Sequence, residues 1–200
     1  MIKTIKTSES AKIEIDKSVF IANIFNIKNN DEAKDIIKKI KKENYKATHN
    51  CYAYYIDDNN LKVSDDGEPS GTAGMPILGT IKSSGLSRCL IVVTRYFGGI
   101  KLGTGGLFRA YQKASLAVIE KAKTVLIDCF PHYKLVFDYN LNNVIEYFLN
   151  KNNIKIITKD YDTKISFTIY TKDPEISKKL IDITNNKINV TYLFEKEIEI

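Results

Sequence analysis

Residues 89–110 read CLIVVTRYFGGIKLGTGGLFRA, an apolar run that passes through five glycines into a helical pattern. The continuous apolar stretch reads as a buried strand, and Leu107, Tyr111, Ala114, Ala117 and Val118 recur at helical spacing over 104–122. The chain must therefore leave a buried strand, turn on nearly bare backbone and enter a helix. That order suits an anion, because glycine lets it approach, backbone N–H groups face it and the helix dipole favours negative charge. Gly98, Gly99, Gly103, Gly105 and Gly106 would form such a cradle. Arg95, Lys101 and Arg109 would be its exposed cations, against phosphate or a nucleic-acid backbone. The spacing fits neither the Walker loop, which ends in Gly-Lys and a hydroxyl residue, nor the GxGxxG dinucleotide fingerprint. A tight turn whose glycines only permit positive φ or close packing stays open as the alternative.

A second unusual stretch, SDDGEPSGTAGMP at 64–76, follows a strand pattern. Asp65, Asp66 and Glu68 have the chemistry to hold a divalent cation or move a proton. The same letters also build turns and helix caps, the favoured reading, with Ser70 or Thr72 opening a helix over 72–84. At a strand start, THNCYAY places Thr48, His49 and Asn50 as a polar patch, in which His49 reads as a hydrogen-bonded structural residue ahead of a catalyst. His49 and His132 are far apart, and Cys51, Cys89 and Cys129 show no CxxC spacing. No metal-ligand set, cofactor or catalytic residue is assigned.

Charge divides the chain. Through Cys129 there are 20 basic against 14 acidic residues, and from Phe130 onward 10 against 10, so the net +6 belongs to the first part. A basic domain commonly meets polyanions, although a lysine-rich surface also simply solvates. With 44% apolar and 27% charged residues, and no apolar run near the ~20 residues that span a membrane, the chain reads as soluble. The N-terminus shows no secretory pattern, which makes the cytoplasm the expected compartment.

Two domains are expected, 1–128 and 129–200. In the second, YKLVFDY, IKIITKDY, TKISFTIYT and INVTYLFE alternate as strands, while LNNVIEYFLN and PEISKKLIDITN have helical spacing. The resulting β-α-β-β-α-β order closes most simply as a ferredoxin-like sandwich. In the first, AKIEIDKS, FIANIFNI, CYAYYIDD and LKVSDD read as strands, and residues after Asn30 as a helix with acids first and lysines last. An α+β class follows for the whole chain.

ATHNCYAY, SDDGEPSGTAGMPIL and VVTRYFGGIKLGTGGLFRAY, in that order, resemble the signature of the IMPACT family over residues of roughly 1–125. Met75 and Thr104 are mild departures from it. The rest of the chain resembles the ferredoxin-like domain that bacterial members add. The resemblance implies that the first domain is similar to domain 2 of ribosomal protein S5, a fold shared with small-molecule kinases and with domain IV of elongation factor G. RNA, a ribosome or a translation factor are then the expected partners, in regulation of translation or the stress response. An enzyme acting on a small phosphorylated ligand is the alternative, with binding rather than catalysis preferred.

Overall fold

In the computed structural model, which describes residues 1–200, the apolar run ahead of the glycines lies at the centre of a sheet covered on both faces. The chain divides into two units, Met1–Leu126 and Ile127–Ile200. The first opens with a four-residue strand, β1 (Ile2–Ile5), which the sequence pattern was too short to reveal; Lys6 N–H donates to the Lys123 carbonyl beside it. Next come β2 (Glu9–Ile15) and β3 (Ser18–Asn26), joined by Asp16 and Lys17. Both turn residues have positive φ, the signature of a two-residue hairpin turn that matches strand twist. Helix α1 (Asn30–Glu43) follows, then β4 (His49–Asp57), β5 (Asn60–Ser64), α2 (Gly74–Ser83), β6 (Cys89–Tyr96) and α3 (Gly103–Lys121).

The sheet order is β2-β3-β6-β4-β5, with every neighbouring pair antiparallel. Residues 89–93 of β6 are all apolar because alternate side chains enter two cores. Cys89, Ile91 and Val93 meet Ile77 and Ile81 of α2 and Tyr111 and Val118 of α3, whereas Leu90 and Val92 meet Ile37 and Ile40 of α1. Helix α1 starts where Asn29 accepts the N–H groups of Asp31 and Glu32, while Glu32 accepts that of Lys28. Acids in its first turn and lysines in its last complement the dipole.

In the second unit, β7 (Thr124–Phe137, which contains the boundary), α4 (Asn142–Lys151), β8 (Lys155–Tyr161), β9 (Ile165–Tyr170), α5 (Ile176–Ile183) and β10 (Ile188–Glu199) follow in turn. The antiparallel order β10-β7-β9-β8 is the ferredoxin-like arrangement, and the class of the chain is α+β. Leu135, Phe137, Ile165, Phe167 and Ile169 meet Ile145 and Leu149 of α4 and Ile176 and Leu180 of α5. No helix is long and apolar enough to cross a membrane.

Phe167 is fully buried and packs edge-on against Phe137 at 5.0 Å. Phe167→Ala should lower stability in a urea titration by ~3–5 kcal/mol, and Phe108→Ala, on the exposed side of α3, by less than ~0.5. Equal shifts for the two variants would contradict this core.

Candidate functional site

Three segments far apart in sequence are brought to one end of the first sheet. Pairing of β4 with β6 sets His49 opposite Arg95, Asn50 opposite Thr94 and Cys51 opposite Val93. The loop after β5 folds over this edge, and the glycine loop leaves it toward α3. Between them lies a cavity of 330 Å³. Thr48, His49, Glu68 and Arg95 line its floor; Pro69, Phe97, Leu102 and Leu107 supply apolar walls; Lys101, Gly103 and Thr104 stand where α3 begins.

Arg95 is only 5% exposed, which corrects the expectation of an exposed cation. It is buried because it sits one residue inside the end of a central strand, where its side chain meets an acid arriving from another loop. Its Nη1 donates to Glu68 Oε1 at 2.6 Å, and its guanidinium lies 5.5 Å from the ring centroids of both Phe20 and Phe97. The Tyr111 hydroxyl, from α3, donates to the same carboxylate oxygen at 2.8 Å. Cys51 Sγ lies 2.9 Å from the Asp65 carbonyl and 3.3 Å from the Tyr111 oxygen. A buried ion pair is stable only when its remaining hydrogen-bonding capacity is met, and here tyrosine meets part of it.

Burial pushes the Cys51 thiol up to about 12, and the neighbouring Glu68, Asp66 and Asp65 charges reinforce it against the opposing Tyr111 hydrogen bond. The Tyr111 phenol is raised as well, first by burial and then by Cys51 and Glu68. Neither is an ionised nucleophile at neutral pH. His49 is oriented by its Nδ1, 2.8 Å from the Asp66 carbonyl. A carbonyl only accepts, so Nδ1 carries a proton, and Nε2 is the acceptor of that tautomer. That atom lies 4.0 Å from Glu68 Oε2, beyond hydrogen-bond reach.

The acidic loop is held by its own backbone. Asp65 accepts the N–H groups of Gly71, Ala73 and Gly74, capping α2 from outside the helix. Neither Ser70 nor Thr72 opens that helix: Ala73 is its cap residue, and the Thr72 hydroxyl donates to the Pro69 carbonyl. Asp66 pairs with Lys41 and accepts the Asn50 N–H at 2.7 Å, and Thr94 donates to Asn50 Oδ1. The loop thereby fixes both His49 and the strand it belongs to.

The glycines have different tasks. A Cβ on Gly98 would stand 2.0 Å from the backbone of Lys17, so this residue is required by close approach to the β2–β3 turn. The Gly98 and Phe97 N–H groups already donate to Ser18 Oγ and Thr48 Oγ1 and do not face an anion. Gly103, at φ +68, makes the entry to α3. Gly105 and Gly106 are ordinary helical residues of α3 without positive φ.

Of the expected cradle, Arg95, Lys101 and Gly103 therefore line the cavity, while Gly98, Gly99 and Gly105 do not. Gly106 and Arg109 line a separate depression with Lys113 and Asp16. His49 and Glu68 line the main cavity; Asn50, Asp65, Asp66, Ser70 and Thr72 do not. Phe97, Thr104 and the Tyr111 hydroxyl escaped the sequence reading. The one available signal was a tyrosine on the buried stripe of α3, a position where a hydroxyl needs a partner.

Burial alone would raise the Asp65 carboxyl, but the Gly71, Gly74 and Ala73 N–H groups outweigh it and hold it below the usual range. Its stabilising effect is present above the unfolded value of about 3.9 and is lost as pH falls through the folded one. Asp65→Ala should cost ~1–3 kcal/mol at neutral pH, with the difference from the parent shrinking below about pH 4. Thermal unfolding across pH checks this, and a pH-independent difference would contradict it.

Residues 16–119 match the family model described as Impact N-terminal domain, and residues 135–187 one described as Domain of unknown function (DUF1949). "IMPACT family member YvyE" of Bacillus subtilis is 38% identical over 192 residues, covering 94% of this chain and 88% of that protein. "IMPACT family member YigZ" of Escherichia coli is 33% identical over 189 residues, covering 91% and 93%. A solved structure titled "Crystal structure of an hypothetical protein" superposes with a TM-score of 0.64 at 30% identity, over 96% of this chain and 97% of that one. Two adjacent domain matches and full-length relatives agree with the convergence of the three signature segments: the chain belongs to the IMPACT family.

Proposed function

We propose that this protein is a cytoplasmic regulator of translation or the stress response that binds RNA, free or in the ribosome, through Met1–Leu126. The observation that carries this is the charge distribution. Met1–Leu126 holds 20 basic and 13 acidic residues, whereas Ile127–Ile200 holds 10 and 11. Within the basic unit, Lys101 stands at the cavity, and Arg109 and Lys113 line the depression on the other side of the α3 entry. Cations flanking a helix N-terminus attract a phosphate backbone, and the attraction carries no demand on base sequence. The resemblance to ribosomal and elongation-factor domains supports the translational setting.

Catalysis on a small phosphorylated ligand fits less well. The Cys51 thiol and Tyr111 phenol, the nucleophile-bearing groups of the network, are both held in their neutral forms by burial. Binding requires neither to ionise.

Counterion release gives log K a slope of about −0.7 against log salt for each phosphate contact on a single strand. Lys101→Ala with Arg109→Ala should flatten the slope for single-stranded RNA by up to ~1.4 without unfolding the protein. Identical slopes for variant and parent, with both folded, would remove this surface from RNA binding.

A further inference from the structure

The 330 Å³ cavity combines features that RNA-backbone binding alone does not use. Its walls are largely apolar, and one of the residues that form them, Phe97, is 47% exposed. At one end Gly103 and Thr104 begin α3, a 19-residue helix whose N-terminus has no side-chain cap. Lys101 stands beside them. The first N–H groups of a helix have no partner within it, so these donors lack acceptors of their own.

A second observation is independent of the helix. Arg95 lines the cavity with a side chain that is 6% exposed, and its Nε has no hydrogen-bond partner although Nη1 and Nη2 reach Glu68 and Ser18. Buried guanidinium N–H groups are rarely left unpaired, and this one belongs to a side chain that lines the cavity, which leaves hydrogen-bonding capacity at its wall. His49 supplies the complementary group: with Nδ1–H donated to the Asp66 carbonyl, Nε2 is the acceptor of that tautomer, on a residue that lines the cavity.

The cavity therefore selects a ligand with a flat apolar face, an anionic end, and both a donor and an acceptor in between. A nucleotide has all four: a base to lie on Phe97, a phosphate for Lys101 and the α3 N–H groups, and ribose and base edges for His49 and Arg95. The volume lies at the small end of ligand pockets, right for one such unit. We propose that this cavity binds a single nucleoside 5′-monophosphate unit, either as a free nucleotide or as the 5′-phosphorylated end of an RNA strand. The RNA-end form rests on the reading of Met1–Leu126 as an RNA-binding unit, whereas the free-nucleotide form does not.

The test is calorimetric titration of the full chain with the four nucleoside 5′-monophosphates, their nucleosides and inorganic phosphate, with amide spectra recorded alongside. At least one monophosphate should bind with one-to-one stoichiometry, about tenfold or more tighter than its nucleoside or phosphate alone. It should shift the Gly103 and Thr104 amides. Lys101→Ala should weaken the monophosphate by about tenfold and leave the nucleoside unchanged, whereas Phe97→Ala should weaken both. Arg109→Ala, outside the cavity, should leave monophosphate binding intact.

Short RNAs with a 5′-phosphate or a 5′-hydroxyl then separate the sources. Competition by the phosphorylated RNA alone assigns the cavity to RNA ends, and competition by neither assigns it to free nucleotide. If no monophosphate binds, or phosphate alone binds as well as every monophosphate, the pocket is overturned. Salt-dependent RNA binding that persists in that case would leave the function proposed above standing.

Discussion

The ion pair between Arg95 and Glu68 ties together the parts of the first unit that the sequence keeps apart. Arg95 lies next to the end of the central strand, Glu68 belongs to the acidic loop, and Tyr111 joins both to the long helix. Withdrawing two charges from water is costly unless they face each other at close range and further hydrogen bonds, here from Tyr111 to Glu68 and from Arg95 to Ser18, serve most of their remaining polar atoms. The acidic loop must therefore fold back onto the sheet edge, and α3 must present its tyrosine there. Once that is done, His49, Lys101 and the start of α3 surround one cavity.

The outer contacts make this arrangement rigid. Asp65 holds the first turn of α2, Asp66 holds β4 and Lys41, and Gly98 lets the loop after β6 lie against the β2–β3 turn. These residues position the site without lining it. The residues that do line it keep unfilled capacity: Arg95 at its Nε, His49 at its acceptor nitrogen, and the entry to α3. Satisfied outer contacts around unsatisfied inner ones are what a prearranged binding site requires.

Much of the fold was legible because it rests on local periodicity. Residues 18–24 alternate buried and half-buried along β3, and the sixfold order of the second unit appears in its hydrophobic rhythm. The site was legible only in its segments. Arg95 and Glu68 are 27 positions apart, and no local pattern tells an arginine flanking a glycine loop from one turned under it. Tyr111 was read from helical spacing as apolar, which is true of its ring and not of its hydroxyl. Strand β1, with four residues, shows too little of its period to be seen. Gly105 and Gly106 look like turn residues by composition, yet α3 begins before them at Gly103 and takes them into its first turn.

If the buried pair organises the site, its two members must be energetically coupled. A double-mutant cycle with Arg95→Met, Glu68→Met and the double variant, followed by urea unfolding of the first unit, measures that coupling directly. Each single variant leaves one buried charge unpaired and should cost ~3–5 kcal/mol, while the double variant should cost no more than either, a coupling of about 3 kcal/mol or more. Additive losses would mean that Arg95 and Glu68 act separately, and would contradict the account.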